Sequence, residues 1–448
     1  LAAALTLVAG ALSGCGGKQD NSSAPATGGG AAAGSGDSGG KHLVIAWAQW
    51  KPSDYLQTLS KDFTTETGIS VEVKQIPWDQ YQQKIQTDVW AGKSDAYDMI
   101  VGDSQWLGTG ATKGHYVDLT DWSKSNVPWD DYTDNVKTFY CEYEGKIVAL
   151  PCEADAIGYA YRKDLFENPQ EQAAFKAKYH YDLAPPDTWD HFKDIAEFFT
   201  RPDKNLFGCA LFYQGSGYDG ITMGFMQVLW CEGGELFDPK TKVVQGVENS
   251  PAAVKALEFY TKTLKQYCPP GSENFYYNET LNAFKQGQVA MAMDWFTFFP
   301  ALVDKTQNQY ADKTGFFLAP KGPAGRYISL GGQGISISSY SKNQDDAKKF
   351  LAWFSKRETQ QKWAQLGGLT CNKVVLASDD FKKATPYNAV FAESVPFLRD
   401  FYNSPQYAEL LRSTQENWNA AASGTATPQQ AMDKVAQDHT QILKGATQ

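Results

Sequence analysis

Residues 42–103 read HLVIAWAQWKPSDYLQTLSKDFTTETGISVEVKQIPWDQYQQKIQTDVWAGKSDAYDMIVGD, and their apolar positions switch repeatedly between strand-like and helix-like spacing. His42 to Trp47 is a short apolar run of strand length. Tyr55, Leu59 and Phe63 then recur every four residues, as on one face of a helix, and Gly68 stops that pattern. Ile69, Val71 and Val73 alternate with polar neighbours as a second strand. Asp79 is a candidate cap for a helix carrying Tyr81, Ile85 and Val89 and ended by Gly92, and Tyr97 to Gly102 is a third strand. This βαβαβ order predicts a parallel sheet with helices on its faces. Ligands of such sheets bind at the carboxyl ends of the strands, which here carry Gln49 and Trp50, then Trp78, then Asp103, Gln105 and Trp106.

Further along, Lys146 to Leu150 is a strand running into Pro151, Glu153 and Asp155, with Ile157 to Tyr161 after it. Helices are expected at Trp189–Phe199, around Ile221 to Trp230, and after Ser250-Pro251, where a capping residue precedes a proline at the first helical position. Val289 to Met293 is a strand that ends directly in Asp294 and Trp295. A strand near Tyr327 to Ser338 is interrupted by Gly331-Gly332-Gln333-Gly334. Helices close the chain from Ser404-Pro405 and from Thr427-Pro428, the latter with a capping box to Gln430. No internal repeat is visible, which argues against solenoids and propellers.

The chain has 448 residues, enough for roughly three domains or two large lobes at about 150 residues each. Its net charge of −10 leaves no polycationic footprint for nucleic acid. No internal apolar run reaches the roughly 18 residues of a membrane span. Leu1 to Gly14 is uncharged and apolar, like the remnant of a signal peptide. It ends Leu12-Ser13-Gly14-Cys15, which is similar to a bacterial lipobox with Cys15 as the lipidated residue. Each acyl chain there would add roughly 0.8 kcal/mol per buried methylene. Residues 16–40, with nine glycines and no aromatic side chain, read as a flexible tether. An extracytoplasmic protein held to the membrane through its lipid alone is therefore expected.

The remaining cysteines, Cys141, Cys152, Cys209, Cys231, Cys268 and Cys371, are even in number. In an exported protein that suggests disulfides, with about fifteen possible connectivities for three bridges. Cys141 and Cys152, flanking a Glu-Gly turn, are the best local pair. No C-x-x-C spacing occurs, and His42, His115, His180, His191 and His439 are scattered without H-E-x-x-H spacing, so no metal site is expected. Gly215 to Gly220 spells G-x-G-x-x-G. The turn-rich stretch from Cys231 to Asp238, with Lys242-Val243-Val244, follows in place of the second strand and acid that a dinucleotide site needs. A helix N-terminus lining a cleft is the better reading of those glycines. With neither a nucleophile elbow nor a P-loop, no cofactor is expected.

Three stretches carry a resemblance to a known family: Tyr97 to Asp103; Gly145 to Pro151 continuing to Gly158-Tyr159-Ala160-Tyr161-Arg162-Lys163-Asp164-Leu165-Phe166; and Phe284 to Trp295. In their order and spacing the chain resembles the extracellular solute-binding proteins of ABC importers, and within them family 1, the sugar-binding proteins related to maltose-binding protein. Arg162 stands where that family usually has Asn or Asp. The resemblance implies an α/β, two-lobed, type II-like periplasmic-binding-protein (Venus flytrap) fold, each lobe a mostly parallel sheet flanked by helices. It places lobe one at 41–151 plus 296–335 and lobe two at 152–295 plus 336–448, with crossings near Pro151 to Glu153, Asp294 to Phe296 and Gly334 to Ser338. It also implies a monomer that hands its ligand to permease subunits, ATP hydrolysis belonging to other chains.

Residue chemistry says what such a cleft could hold. Pyranose C–H patches favour flat aromatic faces, and sugar hydroxyls need the donors and acceptors of Asp, Glu, Gln and their like. Leaving one hydroxyl unpaired in a closed cleft costs roughly 1–3 kcal/mol, which makes such a site selective. The expected contacts are Gln49, Trp50, Trp78, Asp103, Trp106, Glu153, Asp155, Tyr213, Asp294, Trp295, Gly332 and Gln333, with Trp50, Asp103 and Trp295 foremost because they end strands. Trp353, Trp363 and Trp418 are assigned to the core. The expected function is binding an uncharged sugar without catalysis. The alternative is a lipid-anchored glycoside hydrolase using a pair among Asp103, Glu153, Asp155 and Asp294, spaced about 5–9.5 Å apart.

Overall fold

The computed structural model describes residues 41–216, 219–237 and 243–445. The lipobox with Cys15, the tether, Gly217 and Tyr218 of the glycine-rich stretch, and residues 238–242 of the turn-rich stretch lie outside the described residues. So does the side chain of Asp79; the helix it was expected to cap begins at Trp78.

Two sheets organise the chain from Lys41 onward. The first holds β1 (His42–Ala48), β2 (Ser70–Ile76), β3 (Met99–Asp103), β4 (Leu150–Glu153) and, late in the chain, β9 (Gln333–Ile337), in the order β2-β1-β3-β9-β4. The second holds β5 (Ile157–Arg162), β6 (Phe207–Ala210), β7 (Val289–Trp295) and β8 (Thr314–Phe317), in the order β8-β5-β7-β6. The βαβαβ reading of residues 42–103 holds: β1 pairs parallel with both β2 and β3. The helix between β1 and β2, Lys51–Thr67, follows an extended Trp50, takes Pro52 in its first turn, and ends on Gly68 in the left-handed region at φ 73°. Its buried face carries Leu56, Leu59 and Phe63, each contributing about 1.5–3 kcal/mol by leaving water.

The sheets are mixed rather than mostly parallel. β9 runs antiparallel to both β3 and β4, and β5 is antiparallel to β7 and β8, leaving β6–β7 as the parallel pair of the second sheet. Parallel neighbours need a long crossover, whereas β5 and β9 enter their sheets directly from segments that cross between the sheets.

The expected lobe boundaries and crossings need correction on the same grounds. β7 and β8 belong to one sheet, so the chain does not cross at Asp294 to Phe296, and β8 falls in lobe two instead of in the 296–335 block of lobe one. Gly334 to Ser338 is not a crossing either, because it lies almost wholly within β9 of the first sheet. Nor does 336–448 stay together. Helix Gln344–Phe354 packs on the first lobe, Phe350 against Phe63 at 5.1 Å, and Trp363 stacks on Trp47 at 6.3 Å. Trp418 instead meets Phe225 of the second lobe at 4.8 Å. Three segments cross: 154–156, 318–332 and the stretch around Leu398–Arg399. They run side by side, with Ile328 and Ser329 paired to Leu398 and Arg399, Ala156 bridged to Leu330, and the Gly331 N–H donating to the Asp155 carbonyl at 3.1 Å.

All six described cysteines are buried free thiols, so the expected disulfides are not formed in this structure. Cys141 ends helix Asp134–Cys141 with its Sγ 3.9 Å from the Val136 carbonyl, turned into its own helix. Cys209 and Cys268 approach to 3.6 Å without bonding. Arg162, the family departure, forks onto Asp164 at 2.7 Å twice and lies 3.5 Å over the Tyr310 ring, so its difference is absorbed locally.

Gly208 in β6 shows how closely helix and sheet approach. A Cβ there would lie 2.0 Å from the Ala196 carbonyl oxygen of helix Trp189–Phe199, a backbone atom that cannot rotate away. Gly208→Ala is expected to destabilise the protein by about 2–3 kcal/mol, read as a lower urea midpoint at unchanged slope. An unchanged midpoint would mean that the helix stands further off the sheet.

Candidate functional site

A cavity lies between the two sheets, the kind of position between lobes where ligand sites commonly occur. Its first-lobe wall is made of strand ends: Gln49 and Trp50 beyond β1, Trp78 beyond β2, and Asp103, Ser104 and Gln105 at the end of β3. The opposite wall is Trp295 at the end of β7, Thr297 and Phe298 just past it, Asp219 and the pair Tyr276-Tyr277. Crossing segments supply Asp155, Leu330, Gly331 and Gly332. An adjoining cavity shares Trp78, Asp103, Tyr276 and Tyr277 and adds Trp106 and Glu279.

The aromatic rings form two groups. Trp50 lies 5.4 Å from Trp78 and edge-on to Trp47 at 5.7 Å. Across the cavity, Phe212 contacts Tyr276 and Trp295 at 4.9 and 6.2 Å, and Tyr277 stacks on Phe298 at 4.6 Å. Gly331 lets the Trp295 ring approach the backbone closely, since a Cβ there would sit 2.5 Å from it. Hydrogen bonds hold these rings in place. Trp295 Nε1 donates to the Tyr276 hydroxyl at 3.1 Å, which in turn donates to Asp219 Oδ1. Trp47 Nε1 donates to Gln333 Oε1 at 2.6 Å, and Gln333 Nε2 donates to Asp103 Oδ1 at 2.6 Å.

The acids are shaped by burial. Burial pushes the Asp155 carboxyl well above the ordinary range, against N–H donors from Ala156, Thr297 and Phe296. Burial likewise raises Asp219 to about 7, opposed by the Tyr276 hydroxyl and reinforced by the charge of Asp103. Next to the cavity, Asp400 is pushed up to about 6, again by burial first. Several polar atoms have no protein partner among the described residues: Trp50 Nε1, Gln105 Oε1 and Asp400 Oδ2. Such atoms are open to a ligand or to water.

Of the twelve expected contacts, Gln49, Trp50, Trp78, Asp103, Asp155, Trp295 and Gly332 line the cavity, and Trp106 lines its neighbour. The other four do not. Glu153 is buried with both oxygens accepting the Leu369 N–H at 3.1 Å. Asp294 is buried and accepts from Thr280 Oγ1 at 2.7 Å and the Trp295 N–H at 2.8 Å. The Tyr213 hydroxyl donates to the Tyr260 carbonyl at 2.8 Å, and Gln333 acts from behind Asp103. With Glu153 and Asp294 spent on backbone and Thr280, two of the four carboxylates of the hydrolase alternative do not face the cavity. The sequence reading missed Asp219, Tyr276 and Tyr277, and left Gln105, noted as ending β3, off its site residues. Asp219 sits in the glycine-rich turn whose helix was expected to line a cleft. Tyr276 and Tyr277 gave no signal.

Two lobes joined by side-by-side crossings, with strand ends meeting over one cavity, define a two-lobed binding protein of the periplasmic type. The chain belongs to the family of bacterial extracellular solute-binding proteins, which it matches over residues 47–361. It is 27% identical over 365 residues to a mannitol-binding protein of Pseudomonas aeruginosa, covering 81% of this chain and 78% of that one. It is 25% identical over 383 residues to a probable amino-acid ABC transporter periplasmic-binding protein of Sinorhizobium fredii, covering 84% and 83%. Among solved structures, an ABC transporter solute-binding protein of Agrobacterium radiobacter in complex with ribitol matches with a TM-score of 0.74 at 25% identity, over 90% of this chain and 99% of that one. No helix among the described residues is long and apolar enough to cross a membrane.

The raised Asp219 has a signed consequence. Its proton is lost near pH 4 in the unfolded chain but near 7 in the folded one. Its contribution to stability is therefore complete below about pH 4 and is lost as pH rises through about 7. Asp219→Asn, which keeps an acceptor for Tyr276, is expected to match the parent in thermal melts at about pH 4 and to exceed it by on the order of 1–3 kcal/mol at about pH 8. A pH-independent difference would contradict the burial argument.

Proposed function

We propose that this protein is the extracytoplasmic receptor of an ABC importer, binding a sugar, oligosaccharide or polyol between its lobes and passing it to the permease. In this reading it acts as a monomer, tethered through a lipid on Cys15, and binds without turnover. The observation that carries the proposal is the convergence of Trp50, Trp78 and Trp295 with Asp103, Asp155 and Asp219 on one cavity between the lobes. Indole faces suit C–H patches and the carboxyls suit hydroxyls, whether they accept when ionised or donate when protonated. The mannitol-binding and ribitol-bound relatives support the ligand class. Ligand touching both walls favours the closed arrangement and shifts the population toward it.

Titration calorimetry against sugars, disaccharides and polyols, ribitol and mannitol included, is expected to give stoichiometric binding accompanied by a change in tryptophan fluorescence. Trp295→Ala should weaken the best ligand at least about tenfold, the loss of roughly 1.4 kcal/mol or more of stacking. Silence across the panel, or an alanine variant that binds as well as the parent, would overturn this reading.

A further inference from the structure

We infer that the cleft is built for a carbohydrate or polyol bearing a protonated amine, an amino sugar or amino-polyol, rather than for an uncharged one. This rests on the reading above and narrows its ligand.

The first observation is a charge imbalance. The two adjoining cavities present Asp103, Asp155, Asp219 and Glu279, and no Lys, Arg or His lines either of them among the described residues. Arg399, next in sequence to Asp400, is not a counter-ion, because its guanidinium forks onto Glu235 at 3.0 and 2.9 Å. Polar clefts for neutral ligands can balance acids with guanidinium or ammonium groups, since buried like charges repel one another. Among the described residues that line these two cavities, no such balancing charge is present.

The second observation is a set of unfilled acceptors. Gln105 lines the cavity and is only 3% exposed, yet its Oε1 has no partner. Its Nε2 donates to Asp400 Oδ1 at 3.3 Å, and Asp400 Oδ2 is also unfilled. An ammonium brings three donors and can serve several of these acceptors at once, whereas a hydroxyl donates a single proton. The Trp50, Trp78 and Trp295 rings offer faces that attract a cation as well as C–H groups. A metal ion fits less well, since among the described residues no three acidic, His or Cys side chains converge to hold one. Dispersed acids match a polyatomic ligand that reaches several walls.

The titration of the wall agrees with this geometry. Tyr276, Asp103 and Asp400 face Asp219. Ser104, Gln105, the Phe401 N–H and Asp103 face Asp400. Backbone N–H groups and Asp219 face Asp155. None of these neighbours is a cation, so an arriving ammonium displaces protons from the acids and an alcohol does not.

The test is calorimetry on the intact mature chain with matched probes: 1-amino-1-deoxy-D-glucitol against D-glucitol, and D-glucosamine against D-glucose and N-acetyl-D-glucosamine. In at least one set the amine is expected to bind about tenfold or more tighter than its uncharged counterparts. Its affinity should fall between about pH 7 and about pH 5 as the acids protonate, and buffers of different ionisation enthalpy should report proton release for the amine alone. If uncharged members bind as well as the amines, the inference fails while the carbohydrate reading stands. If no member of either set binds, the inference is overturned, and the carbohydrate reading is judged separately by the broader sugar and polyol panel.

Discussion

Gln333 occupies a point on which much of the cleft floor depends. Its side-chain amide is buried, accepts from Trp47 and donates to Asp103, each at 2.6 Å. It therefore ties β9 to β1 and β3 at the ends that face the cavity. An amide meets both demands at once, whereas an ionised carboxylate could not donate to Asp103 and an apolar side chain would strand two buried polar groups. The bond also sets the first-lobe wall. Asp103 is held against β9, and Trp47, fixed by the same amide, carries Trp50 edge-on and Trp363 stacked behind.

The second wall is held by a different device of the same kind. Asp294 accepts from Thr280 and from the backbone of Trp295, which fixes the end of β7 and the start of the helix bearing Tyr277 relative to one another. Burial lifts Asp294 well above the usual carboxylate range, so its role is structural and its neighbours are chosen to satisfy it. Trp295 then hands its indole N–H to Tyr276, and Tyr276 its hydroxyl to Asp219. The rings are thus oriented before any ligand arrives, which lowers the entropy that binding must overcome.

The fold was legible where local periodicity carries it and obscure where pairing is long-range. The β1 to β3 segment was read correctly because each element announces itself within about seven residues. The antiparallel directions of β5 and β9 were not, because antiparallel entry depends on where the chain crosses, and a crossing has no composition of its own; β8 was not read as a strand. The same limit explains the site. Trp50, Trp78, Asp103 and Trp295 end strands and were found by that rule. Glu153 and Asp294 also sit at strand ends but point into structure, a distinction made by the Leu369 N–H and by Thr280, which are remote in sequence. Tyr276 and Tyr277 reach the cavity from a helix start, a position that no strand rule considers.

The crossings and the cavity are not separate parts. Asp155 sits in the first crossing, and Leu330, Gly331 and Gly332 in the second; all four line the cavity. The third crossing carries Asp400, whose Oδ1 holds Gln105. Gly331 is bonded through its N–H to the Asp155 carbonyl, and Leu330 to that of Arg399, so the three segments form one narrow ribbon that is both connection and wall. Any rotation of one lobe on the other must pass through backbone torsions of this ribbon, since the two larger sheets share no strand. A ligand seated against Asp155 and Gly331 therefore contacts the elements that would have to move, and need not transmit its effect through either lobe's core. Differential affinity for open and closed arrangements is what a ligand needs to shift their populations.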